Sequence, residues 1–254
     1  MLTRLQRKKI KIAPVILSTA PALTDEDAYA FTLDEDPETN DRLFQWNIAA
    51  SLSRVATPPH PLITEAEPEG SARLTLVLDM DETLVFSRLG DYPSDLSLRF
   101  EGEGHSCSVS VSFRPFLEPF LRLLSRHFEV VLFTAADKTY AERVLDAIDA
   151  TGTIFSRRLY RDSCVFVDGK FVKDLRVLGS DLARTVILDD SPISYAFQVD
   201  NAVPIAPWRG DRTDDTLPKV AAFLLTLSRE SDVRRALSNR FGLRSNFERR
   251  ELAS

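Results

Sequence analysis

Three short apolar runs, residues 74–78, 130–133 and 186–188, lead directly into polar residues: Asp79 and Asp81, Thr134, and Asp189 with Asp190. Runs this short, bounded by amphipathic segments, read as strands of a parallel sheet covered by helices. Strands are expected at 73–79, 128–134 and 183–189, with a shorter one at 201–206, and helices at 115–126, 138–150 and 214–227. Pro115 suits the first helical position, where its missing N–H is not needed. Parallel strands end on a common edge, and ligands of open α/β sheets bind outside that edge. Four carboxylates and a hydroxyl are therefore expected in one place.

Side chains alternate along a strand, so Asp79 and Asp81 can face the same way while Met80 points into the packing. Crowded carboxylates need compensating charge, and a set of hard oxygen ligands suits magnesium better than zinc or copper. With Asp79, Asp189 and Asp190 ionised, one Mg²⁺ and one lysine balance the three charges. Lys173 is the candidate lysine. The competing reading of each single aspartate is a cap of a helix or turn.

Two excursions interrupt the alternation of strands and helices. Residues 87–113 contain SCSVSVSF, whose period of two predicts a small β-insert after the first strand. Residues 163–174, SCVFVDGKFVKD, place Asp168 and Gly169 between two apolar runs, a hairpin signal. Before the sheet, residues 1–70 read as mostly disordered, with a possible short helix at 41–55 that places Leu43, Phe44, Trp46, Ile48 and Leu52 at helical spacing.

The chain of 254 residues carries a net charge of −6, which argues against direct nucleic-acid binding. No apolar run is long enough to span a bilayer. The two cysteines, Cys107 and Cys164, match no metal spacing and read as reduced, partly buried thiols. His60, His105 and His127 lack partner spacing and read as ordinary histidines, and Trp208 reads as packing.

The sequence DMDETLV at 79–85 resembles the DxDxT signature of haloacid dehalogenase superfamily phosphatases. Together with FTAADKTYA at 133–141, YRDSCVF at 160–166, FVKDL at 171–175, LDDSPISY at 188–195 and NAVPIAPW at 201–208, it resembles the small phosphatases acting on the RNA polymerase II C-terminal domain. The resemblance covers residues 73–241 and places a phosphatase domain at 71–242, with 243–254 as a tail. It implies a haloacid-dehalogenase-like α/β fold and a magnesium-dependent protein serine/threonine phosphatase.

The same resemblance implies roles for matching positions. Asp79 is the nucleophile that becomes an aspartyl-phosphate, and Asp81 is the acid/base whose backbone carbonyl also ligates magnesium. Thr83 supports the loop and belongs, with Thr134 and Lys173, to the phosphate-binding set. Asp190 completes the metal ligands beside Asp79 and Asp81, and Asp189 orients Lys173. Many small members carry Asn where Asp190 stands, so this chain has one more negative charge at the metal. An apolar pocket for a substrate proline maps to Leu89, Phe100, Val109 and Tyr140, and a basic contact to Arg161. Asp137, Gly102 and Ser110 depart from that pocket, predicting a weaker proline preference and some preference for basic flanking residues.

The expected partner is a phosphoprotein, the expected state a monomer, and the expected compartment nuclear or cytoplasmic. The alternative is a binding subunit with little or no catalysis, resembling the mitochondrial import receptor that shares this domain, since Arg4, Arg7, Lys8, Lys9 and Lys11 could pass for a transit segment. The acids needed for chemistry argue against it. Asp81 likewise argues against dehalogenation, in which halide leaves without protonation, and the small insert argues against a capped small-molecule phosphatase.

Overall fold

The computed structural model describes residues 73–102 and 105–246. The helix expected at 41–55 and the segment before it lie outside the described residues. Five parallel strands form the central sheet: β1 (Thr75–Leu78), β5 (Glu129–Phe133), β6 (Arg157–Leu159), β9 (Thr185–Asp189) and β10 (Ala202–Pro204), in the order β10-β9-β1-β5-β6. Between β1 and β5 the chain makes an antiparallel sheet of β2 (Val85–Leu89), β3 (Leu96–Gly102) and β4 (His105–Phe113), in the order β2-β4-β3. The expected β-insert is this sheet.

The alternation of strand side chains sorts the core into two layers. Leu76, Leu78, Val130, Leu132, Val186 and Leu188 face one layer. There they meet α1 (Leu117–His127), α2 (Lys138–Ile148), α3 (Thr216–Leu227) and α4 (Val233–Phe241) through residues such as Leu121, Val144, Leu224 and Leu237. Val77, Val131, Phe133 and Ile187 face the other layer, covered by Val172, Leu175, Tyr195 and Val199 from a hairpin and short 3₁₀ turns. Leu243 is buried in this second layer, one residue past the expected end of the domain. Among the described residues no helix is long and apolar enough to cross a membrane.

The hairpin is β7 (Val165–Val167) paired with β8 (Lys170–Val172). Asp168 and Gly169 take φ of 47° and 77° at its tip, both left-handed as a two-residue type I′ turn requires.

The structure departs from expectation in four places. α1 begins at Leu117, leaving Pro115 outside the helix, because Phe116 takes φ 66° and the Leu117 N–H closes a turn on the Arg114 carbonyl. β6 has the sequence RRL and pairs with β5 at the sheet edge, yet it offers no apolar run to detect. α4 fully buries only Val233 and Leu237, and its arginines mask the periodicity. Cys107 is exposed rather than partly buried, because it sits opposite Phe100 toward the open end of the insert; Cys164 is half-buried.

Candidate active site

Asp79 directly follows β1 and extends its ladder, donating its backbone N–H to the Leu188 carbonyl at 3.0 Å. The chain then coils tightly: the N–H groups of Leu84 and Val85 both donate to the Met80 carbonyl, and Glu82 takes φ 59°. Met80 is fully buried in the core. Asp79 and Asp81 both line a cleft of about 640 Å³ at the carboxyl edge of the sheet.

Thr134, Tyr140, Arg161, Lys173, Asp189 and Asp190 line the same cleft. Thr134 follows β5; its backbone N–H donates to the Leu159 carbonyl and its Oγ1 accepts the Ala136 N–H at 3.0 Å. Lys173 follows β8 and is 1% exposed; its Nζ donates to Asp79 Oδ1 at 2.5 Å and to Asp189 Oδ2 at 2.6 Å. Its backbone is fixed in turn, for its N–H donates to the Ser194 carbonyl. The next residue, Asp174, is buried and accepts from Gln198 Nε2 and the Arg176 N–H.

Burial alone would discharge Lys173, but Asp189 and Asp79 outweigh it and hold its proton more tightly than usual. Carboxylate oxygens of Asp79, Asp189 and Asp190 lie within 4.8 Å of one another. Burial, and then the charges of Asp189 and Asp79, raise the Asp190 carboxyl well above its ordinary range. Burial likewise raises Asp189, against the pull of Lys173. One lysine thus meets more carboxylate charge than it balances, and the unbalanced donors are hard oxygens. That donor set fits a magnesium ion.

Asp81 stands apart from this cluster. Its Oδ1 accepts a hydrogen bond from the Tyr140 hydroxyl at 2.8 Å. Burial, followed by the charge of Asp79, pushes its carboxyl up to about 7.

Thr83 does not line the cleft. It is buried, its Oγ1 donates to Asp190 Oδ1 at 3.3 Å, and its carbonyl accepts from Arg114. The expected proline pocket is not gathered in the cleft either. Leu89 is 74% exposed and pairs with Val109 across the insert, while Phe100 lies against the core beneath the Arg143 guanidinium. Of that set only Tyr140 and Arg161 reach the cleft, which is lined as well by the hairpin residues 169–171 and by Ile193.

Sequence reasoning missed Arg114, which is 2% exposed. Its guanidinium grips both carboxylate oxygens of Asp214 at 2.9 Å and donates to the carbonyls of Thr83 and Ala206. The loop after Asp79, the end of β10 and the start of α3 are tied together there. An arginine inside the apolar run VSVSFRPFL was the available signal. Trp208 is buried as expected and also donates its backbone N–H to the Glu82 carbonyl.

Residues 74–234 match the family described as NLI interacting factor-like phosphatase. The chain is 41% identical over 193 residues to CTD small phosphatase-like protein 2 of Dictyostelium discoideum, covering 76% of this chain and 34% of that protein. It is 43% identical over 178 residues to human carboxy-terminal domain RNA polymerase II polypeptide A small phosphatase 1, covering 70% and 68%. It therefore spans about a third of the first relative and about two thirds of the second. A solved structure of Fcp1, an essential RNA polymerase II CTD phosphatase, overlaps 66% of this chain and 52% of its own at 24% identity and a TM-score of 0.46. From the 161 residues of the family match, with Asp79, Asp81 and Asp190 at the carboxyl edge of the sheet and Lys173 lining the same cleft, the chain belongs to the NLI interacting factor-like phosphatases.

Proposed function

We propose that this protein hydrolyses phosphoserine or phosphothreonine in a protein substrate, with C-terminal-domain-like phosphopeptides of RNA polymerase II as first candidates. The observation that carries this reading is the pairing of two differently treated carboxylates in one cleft: Asp79 against Lys173, and Asp81 against Tyr140. Asp79 stays close to a positive charge, as an attacking carboxylate approaching a phosphate dianion should. Asp81 holds a proton into the neutral range, as a general acid should.

In the first step an Asp79 oxygen bonds to phosphorus while the ester P–O bond breaks, and Asp81 gives its proton to the departing serine or threonine oxygen. In the second, a water oxygen bonds to phosphorus as Asp81 takes the water's proton. The bond to Asp79 breaks, and inorganic phosphate leaves. Lys173 places positive charge beside Asp79 throughout, the kind of electrostatic help that dominates such reactions. The Thr134 hydroxyl, whose oxygen already accepts the Ala136 N–H, has its own hydrogen free for a phosphoryl oxygen. Thr83 acts indirectly, by bracing Asp190.

Asp79 and Asp190, with the Asp81 backbone carbonyl as the family resemblance implies, would hold magnesium, and Asp189 is committed to Lys173. When bound, the ion supplies positive charge that offsets the carboxylates and the phosphoryl oxygens. A binding-only role gains no support from a site that keeps both carboxylates and the lysine.

The test is a panel of phosphoserine and phosphothreonine peptides with and without magnesium, run on wild type and Asp79→Asn. Magnesium-dependent release of phosphate by wild type alone is expected. Equal release by a folded Asp79→Asn protein would falsify the mechanism.

A further inference from the structure

The cleft carries two cations that the chemistry above does not use. Arg161 and Lys170 both line it, as does Phe171. Arg161 is braced rather than neutralised: its Nε donates to the Ala135 carbonyl at 2.7 Å, and its guanidinium lies 5.3 Å from the centre of the Phe171 ring. Among the described residues no carboxylate makes an ion pair with Arg161 or Lys170. Asp137, expected to draw basic flanking residues, lines the same cleft and keeps its negative charge. One of its oxygens accepts the Thr139 N–H at 2.8 Å as the cap of α2. That bond holds its carboxyl low, and Arg161 adds a smaller pull. Asp168 at the hairpin tip is exposed and does not line the cleft. Arg161 and Lys170 thus set two positive charges against the one carboxylate of Asp137.

We propose that Lys170, beside Arg161, forms a subsite for a second anion on the phosphoprotein, an acidic side chain or a further phosphate near the one removed. The inference rests on the phosphatase reading above. Position follows from chain geometry. Lys170 precedes Lys173 by three residues of near-extended chain, roughly 10 Å at about 3.3 Å per residue. A substrate lying extended along the cleft covers that distance in roughly three residues. The anion belongs about three positions from the phosphorylated residue.

Peptides carrying one phosphoserine and, three positions to either side, Ala, Asp, Lys or a second phosphoserine are compared by kcat/KM. Each enzyme's ratio to its own Ala peptide removes changes in overall activity. Wild type is expected to favour Asp over Ala by about fivefold on one side, which is about 1 kcal/mol at 1.4 kcal/mol per decade and the upper end for a partly exposed ion pair. The gain should shrink with added salt. Gain with both Asp and phosphoserine makes any anion the ligand; gain with phosphoserine alone makes it phosphate. Lys170→Ala should bring the ratio close to one, Lys170→Glu should favour the Lys peptide, and Lys170→Arg should restore the wild-type order. Ratios near one in wild type, or unchanged in Lys170→Glu, overturn the subsite while leaving the phosphatase reading intact. If no peptide is hydrolysed, both fall.

Discussion

The Tyr140 hydroxyl donates to Asp81 Oδ1 at 2.8 Å, and the two residues come from different parts of the fold. Asp81 lies in the coil after β1, whereas Tyr140 sits in the first turn of α2. Burial and the Asp81 charge keep the phenol protonated far above its ordinary range. It is therefore a fixed donor. Tyr140 enters the sequence argument as one wall of an apolar pocket, and its position makes it a support for the proposed acid.

Tyr140→Phe should cost about tenfold in kcat on a phosphoserine peptide, a fraction of the roughly 10²- to 10⁴-fold that general acid catalysis supplies. Serine is a poor leaving group and needs its proton from a well-aimed Asp81. An aryl phosphate with an acidic phenol needs it far less, so the same variant should lose little there. Kinetics on both substrates give the answer. Equal losses on both would mean that Tyr140 serves packing or binding instead of aiming the acid.

Among the described residues Lys173 is the only cation paired with Asp79 and Asp189, and all three side chains are at most 9% exposed. Lys173→Met leaves two buried carboxylates without their partner. Breaking buried pairs of this kind costs about 3–5 kcal/mol, so the variant should melt at a clearly lower temperature as well as lose turnover. Magnesium should restore part of that stability because it replaces some of the missing charge. A Lys173→Met protein as stable as wild type without magnesium would contradict this account.

The floor of the site was legible because it hangs on strands. Three apolar runs ending in Asp79, Thr134 and Asp189 needed only the two-residue period and a parallel sheet to converge. The walls were not legible for the same reason. Which side of the insert Leu89 faces, and whether Phe100 lies in the cleft or against the core, depends on how one small sheet docks on another domain face. No periodicity records that. Lys170 escaped notice because a lysine after Asp-Gly reads as an ordinary hairpin residue until the hairpin is seen to form the cleft wall. β6 and α4 escaped because arginines occupy most of their outward positions.

Asp190→Asn should have opposite effects with and without metal. Without it, the substitution removes a carboxylate crowded by Asp189 and Asp79, so the melting temperature should rise. With it, a charged ligand is gone, so the stabilisation that magnesium provides through binding the folded state should shrink. Thermal melts across a magnesium titration, with chelator as the zero point, measure both. A larger magnesium shift in Asp190→Asn than in wild type would remove Asp190 from the metal ligands.

Arg114 and Asp214 lie outside the cleft but hold its most tightly coiled loop. The pair is bidentate at 2.9 Å, with the arginine side chain 1% exposed and the aspartate 15%. Burial works against the Asp214 carboxylate, yet the Arg114 hydrogen bonds and charge, with help from the Thr216 N–H, bring its pKa below the ordinary 3.8. A carboxylate whose pKa is lowered by folding adds stability that is fully present above its unfolded pKa and fades as the pH falls through the lower folded value. Asp214→Asn keeps the shape but leaves Arg114 buried with only carbonyl partners, so it should lose about 3 kcal/mol near neutral pH. The gap between wild type and Asp214→Asn should hold steady from neutrality down to about pH 4 and narrow below it, where wild type also loses the charge. Because Arg114 also donates to the Thr83 carbonyl, and Thr83 braces Asp190, the variant should need more magnesium for half-maximal activity. Denaturant melts from pH 3 to 7, read beside a magnesium titration of activity, test both parts; a stability gap that widens in acid would show that Asp214 is not held ionised by Arg114.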